Sequence, residues 1–152
     1  MRTCTLVFLF QENKILLAMK RRRFGVGKWN GYGGKMNEGE KPIDAIVREV
    51  KEESNLDIPK EAFKELGYID FYFDDKEEWN QSVIIYRVDD FVGEPEETEE
   101  MMPKWFDLDK IPYHEMWKGD DVWLPKVVNN EKVGGEIHFS ESGEKLVSCE
   151  IK

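Results

Sequence analysis

Three glutamates, Glu49, Glu52 and Glu53, crowd the stretch REVKEESN behind a single arginine, Arg48. On a helix, successive side chains are about 100° apart. With Ile43 at zero, Glu52 falls at about 180°, Glu49 at about 240° and Glu53 at about 280°. The three carboxylates therefore share one arc. Taken alone, such a cluster is either a solvated acidic face or a site for a hard cation. Carboxylates at i, i+4 repel by roughly 0.2–0.5 kcal/mol. A divalent ion with oxygen ligands would neutralise them and work with a substrate phosphate.

The element that carries them is read from its apolar spacing. Ile43, Ile46, Val47 and Val50 recur at i, i+3, i+4, i+7, which predicts an amphipathic helix over 42–54 with those four residues as its buried face. Pro42 suits its first turn, Asp44 its positive end, and Asn55 a left-handed cap. Arg48 is four residues from both Asp44 and Glu52 and can pair with either. Before the helix runs KRRRFGVGKWNGYGGKMNEGE, whose glycines and charges predict loop.

Context decides between the two readings. Gly34, Glu40, Arg48, Glu49, Glu52 and Glu53 have the spacing G-x5-E-x7-R-E-x2-E-E, with Val50 and Leu56 at two further aliphatic positions. This stretch resembles the Nudix box, with Asn55 where that family has glycine. Asparagine is the next-best residue for the left-handed turn. The resemblance implies a hydrolase of nucleoside diphosphates linked to another group. The implied fold is α+β, a mixed β-sheet sandwiched between α-helices.

By that match Glu49 and Glu53 would bind an essential divalent metal, Mg²⁺ with Mn²⁺ as an alternative, joined by the Gly34 carbonyl. Glu52 would be a further ligand or position the attacking water, and Arg48 would orient the glutamates. Glu40 would support the loop, and Glu100 would supply a remote carboxylate to the metal. Among the basic residues Lys20, Arg21, Arg22, Arg23, Lys28 and Lys35, Lys20 at a strand end is the best phosphate contact.

The resemblance continues in FGVGKWNGYGGKMNEGE, EEMMPKWFDLDKIP and MWKGDDVWLP. These are similar to the branch of the family that cleaves oxidised purine nucleoside triphosphates, of the 8-oxo-dGTP type, to the monophosphate and pyrophosphate, sanitising the nucleotide pool. The match implies that Asn30 reads the base and Trp117 stacks on it. The walls would include Thr5, Leu6, Phe24, Phe71, Phe73, Met101 and Trp123. The family's aspartate pair begins two residues after the tryptophan, where this chain has Gly119, so Asp120 and Asp121 are displaced. Either Asp120 alone reads the base, or Lys118-Gly119 shifts the pair back into register. Loss of one acid favours the alternative of a broad Nudix hydrolase acting on ordinary nucleotides or diphosphate conjugates. A non-catalytic nucleotide-binding module fits less well, because every box glutamate is present.

The remaining segments predict strands over 3–10, 14–19, 65–73 and 82–90, a short strand and turn over 103–112, a second helix over 120–129, and a closing hairpin. Strands and helices mix without a regular alternation, as α+β folds do. The 152 residues are expected to form one domain, 1–152. Lys and Arg number 22 against 32 Asp and Glu, a net charge of −10 that argues against binding nucleic acid polymers. Cys4 and Cys149 read as free thiols. The apolar run LVFLF is too short for a signal peptide or a membrane span, so a cytoplasmic monomer acting on a small nucleotide is expected.

Overall fold

The computed structural model describes residues 1–152. Nine strands form one mixed sheet: β1 (Arg2–Gln11), β2 (Lys14–Lys20), β3 (Trp29–Asn30), β4 (Tyr32–Lys35), β5 (Lys64–Phe73), β6 (Gln81–Asp89), β7 (Met101–Asp107), β8 (Val133–Ser140) and β9 (Lys145–Ile151). Two α-helices, α1 (Pro42–Ser54) and α2 (Asp120–Val128), complete it. The order is β3-β2-β1-β6-β5-β8-β9, with β4 on β1 and β7 on β2. Neither helix is long and apolar enough to cross a membrane.

Alternation along β1 sends its side chains to two separate cores. Val7 and Leu9 join Ile46 and Val50 of α1. Cys4, Phe8 and Phe10 join Trp123, Leu124 and Val127 of α2. The sheet is thus packed between one helix on each face, the α+β Nudix-like arrangement expected. Both cysteines are free.

One edge of β1 is divided between two partners. Its last residues pair with β2, as in Leu9 with Leu16. Its first half pairs with β4, Thr5 opposite Gly34 and Leu6 opposite Gly33. The segment expected to be loop therefore contains β3 and β4. Its glycines permit this close approach. A Cβ at Gly33 would lie 1.9 Å from the Thr5 carbonyl oxygen, and one at Gly31 would lie 2.3 Å from that of Val7. Composition signals turns here, but the absent side chains are what let the strands form.

Candidate active site

Helix α1 begins at Pro42 and ends on Asn55, whose φ of 62° and ψ of 19° give the expected left-handed cap. Its buried face differs from the expected one. Ala45, Ile46, Val50, Glu53 and Ser54 are buried, while Ile43 and Val47 are only half-buried. The helix is rolled by roughly 50° toward its glutamates. The cause lies opposite, where Gly33 and Gly34 offer bare backbone and the carboxylates settle against it.

Glu53 is only 4% exposed. One carboxylate oxygen accepts a hydrogen bond from the Gly33 amide at 2.9 Å, and the other has no partner. Burial pushes this carboxyl up to about 8, against the Gly33 hydrogen bond, and Glu49 adds to the rise. Glu49 is also raised, chiefly by burial and against its hydrogen bond from Arg48. A Cβ on Gly34 would lie 2.8 Å from the Glu49 carboxyl carbon, so the Glu49 carboxylate holds its present place only against a glycine.

Arg48 orders this acidic edge. Its Nε and Nη2 donate to the two oxygens of Glu40 at 2.8 and 2.9 Å. Its Nη1 reaches Glu49 at 2.8 Å and Glu52 at 3.3 Å, and Nη2 also reaches the Lys35 carbonyl at 3.2 Å. Asp44 is not among its partners, because the roll of the helix turns Arg48 toward the loop. Glu40 also accepts the Asn37 amide at 2.9 Å. The Arg48 bonds, helped by that amide, hold Glu40 down at about 2. The side chain of Glu52 is 57% exposed.

Glu100 lies beside the same edge but is held by bases. It pairs with Arg22 at 2.6 Å, Arg23 at 3.5 Å and Lys20 at 3.6 Å. Arg21 is taken by Glu97 at 2.6 Å. Much of the basic loop is thereby neutralised by residues 97–100; Lys20, paired with Glu100, is also near enough to Glu49 and Glu53 for its charge to oppose the rise of their pKa values.

The donor set fits a hard divalent cation. All the candidate ligands are oxygens, the second Glu53 carboxylate oxygen has no protein partner, and the Glu49 carboxylate lies directly against the bare Gly34 backbone. No three acidic, thiol or imidazole side chains are already drawn into a cage. Arg48 and Arg22 hold Glu49, Glu52 and Glu100, so a cation competes with guanidinium groups for them.

A cavity of about 450 Å³ runs from this edge beneath α2. Glu53, Gly34 and Lys20 border one part of it. Asn30, Trp117 and Asp120 border another, with Thr5, Leu6, Phe24, Phe71, Phe73, Met101 and Trp123 as walls. Asn30 Oδ1 accepts the Gly31 amide at 2.8 Å, which leaves its amide N–H groups to donate. Asp120 is 2% exposed, and its Oδ1 accepts the Trp123 indole N–H at 3.1 Å. Burial raises its pKa well above the ordinary carboxylate range.

Asp121 is a correction. It is exposed and does not border the cavity. The helix start turns consecutive residues about 100° apart, so both acids do not face one pocket. Gly119 holds φ at 97°, which an aspartate there would adopt only under strain. Trp117 also differs from the open platform expected. Phe24 stacks on it at 5.1 Å and 30°, and Lys28 Nζ lies 5.0 Å from its ring centre.

Arg2 and Gln81 border the cavity too, and neither was expected. The signal was alternation: Gln81, Val83 and Ile85 share one face of β6, as Arg2, Cys4, Leu6 and Phe8 do on β1.

The fold and this buried acidic edge define a metal-assisted hydrolase class, and the chain belongs to the Nudix family: the NUDIX domain model matches residues 1–127. Nudix hydrolases are generally dependent on divalent metals. Among its relatives, the oxidized purine nucleoside triphosphate hydrolase of Danio rerio is 43% identical over 135 residues, covering 89% of this chain and 85% of that protein. The protein of the same name from Mus musculus is 41% identical over 140 residues, covering 92% and 88%. A MutT protein from Bacillus halodurans superposes with a TM-score of 0.84 at 23% identity, covering 100% of this chain and 97% of that one, a likeness of fold.

Proposed function

We propose that this chain hydrolyses oxidised purine nucleoside triphosphates, of the 8-oxo-dGTP type, to the monophosphate and pyrophosphate, sanitising the cytoplasmic nucleotide pool. One observation carries the reading: a single cavity is bordered by the aromatic and polar groups suited to a purine and by the buried carboxylate edge suited to phosphate and metal. The relatives named for that activity support the choice of base.

Glu49, Glu53 and the Gly34 carbonyl would hold Mg²⁺, or Mn²⁺, with Glu100 recruited from its arginines. When bound, the metal neutralises charge on the phosphate oxygens. Arg48 fixes Glu49 and the Glu40 loop by its fork of hydrogen bonds. Glu52, exposed beside them, orients the attacking water and accepts its proton. Lys20 offers positive charge to the distal phosphates. The base lies against Trp117 once Phe24 moves aside. Asn30 donates to the base, and Asp120, kept protonated by burial, donates to a carbonyl oxygen. A monomer acting on a small nucleotide would suffice for these roles.

A second reading has a specific observation behind it. With Asp121 outside the pocket, only one acid reads the base, which favours a wider range of bases. Turnover of a nucleotide panel with Mg²⁺, reading monophosphate and pyrophosphate, tests both. Selective cleavage of 8-oxo-dGTP supports the first reading, comparable cleavage of ordinary triphosphates supports the second, and no release overturns both.

A further inference from the structure

The cavity has polar groups at two ends. Asp120 is tied to Trp123, whose ring meets Phe8 edge-on at 5.8 Å. At the Arg2 end, Arg2 and Gln81 stand opposite each other in the parallel pairing of β1 and β6, and Phe71 flanks Gln81 on the other side. All three border the cavity.

Gln81 is 8% exposed, and its orientation is fixed. Its amide Nε2 donates to the Trp79 carbonyl at 3.0 Å. A carbonyl can only accept, so the amide does not flip, and Oε1 is left as an acceptor without a protein partner. Beside it, Arg2 Nε is buried and also without a partner. The guanidinium has no acceptor role and can only donate. Two strands set these side chains about 4.8 Å apart at the backbone. The end of the cavity is therefore an acceptor without a protein partner next to a buried donor without one, and the buried donor is costly to leave so.

We propose that Gln81 and Arg2 form a second reading edge of the base cavity, selective for an N–H donor beside a carbonyl oxygen. Oxidation at C8 of a purine creates that pattern: N7 gains a hydrogen and C8 a carbonyl. On that imidazole edge an unmodified purine shows instead the N7 lone pair and C8–H; guanine's own N1–H and C6 carbonyl lie on its opposite edge, the one assigned above to Asn30 and Asp120. Against it, Gln81 Oε1 faces another acceptor, and Arg2 finds no carbonyl oxygen at C8. The edge thus rewards the oxidised base over the ordinary one, which sets an acceptor against Gln81 Oε1 and offers no C8 oxygen to the buried Arg2 Nε. This inference rests on the nucleotide reading above and supplies selectivity that the exposed Asp121 does not.

The test uses binding of 8-oxo-dGMP and dGMP, the monophosphates, so that no turnover is required. Calorimetry would compare wild type with Gln81→Met, which keeps length and apolar packing, and with Arg2→Met. Wild type should prefer 8-oxo-dGMP. Gln81→Met should lower that preference by about tenfold, mainly by weakening 8-oxo-dGMP, with dGMP affinity held or raised. Arg2→Met, at a strand end, should act in the same direction and stands in if Gln81→Met does not fold. An unchanged ratio, a parallel loss of both affinities, or no preference in wild type would overturn the proposal. Because binding alone is read, a protein that discriminates but cleaves no triphosphate would contradict the hydrolase reading and leave this edge standing.

Discussion

The Glu53 carboxylate accepts the Gly33 amide hydrogen at 2.9 Å, joining α1 to β4 where two glycines leave the backbone bare. That contact explains both the roll of the helix and the burial of a carboxylate that water would otherwise solvate. An acid held this way opposes folding when ionised and suits a site completed by a cation.

Glu53→Gln should therefore do two things. Turnover should fall by about 100-fold or more, as expected for loss of a metal ligand. The metal-free fold should gain stability near pH 8. The folded carboxyl titrates at about 8 against an ordinary 4.5, so the folded state keeps a proton that the unfolded chain releases. The Glu53 contribution to wild-type stability should be full below 4.5 and be lost as pH rises toward 8. Melting curves across that window should slope for wild type and flatten for Glu53→Gln. Parallel slopes would contradict the assignment.

Removing the Arg48 fork should separate orientation from ligation. Arg48→Lys keeps the charge but loses the two-pronged contact to Glu40. Mg²⁺ affinity should weaken by about 10–100-fold, measured by calorimetry. Acid stability should also change. Glu40 is held at about 2 against 4.5, so its contribution is present above 4.5 and is lost as pH falls toward 2. The variant should lose part of that acid-dependent step.

Much of this was legible in the chain. The box spacing located Glu40, Arg48, Glu49 and Glu53, because a helix converts fixed intervals into fixed directions. Asn55 was readable as a cap because few residues accept φ near 60°. The roll of α1 was not readable, since it depends on which strand lies opposite, and β4 itself was hidden in a glycine-rich segment. Asp121 was misplaced for a related reason. Sequence adjacency to Asp120 says nothing of direction until Gly119 fixes where the helix starts. Arg2 and Gln81 carried the alternation of their strands, but their meeting depends on a parallel register between β1 and β6.

Gly34→Ala should test the space beside Glu49 without removing any charge. The added methyl would lie 2.8 Å from the Glu49 carboxyl carbon and must push it away. Turnover should drop at least tenfold at limiting Mg²⁺ and recover partly at high Mg²⁺. Unchanged Mg²⁺ dependence would show that Glu49 does not ligate.

Trp117→Ala should act on binding. Loss of a base-stacking face costs roughly 1–3 kcal/mol, so KM should rise about 5- to 150-fold with kcat less affected. An unchanged KM would contradict stacking and leave Trp117 as a core residue packed on Phe24 and Phe73.

The central claim is selective cleavage of an oxidised purine triphosphate. The direct measurement is a competition: equal 8-oxo-dGTP and dGTP in one reaction with Mg²⁺, both followed by chromatography. The account predicts that 8-oxo-dGTP disappears first, giving 8-oxo-dGMP and pyrophosphate, and that a chelator stops the reaction. Equal rates of loss, or no loss of either nucleotide, would contradict it.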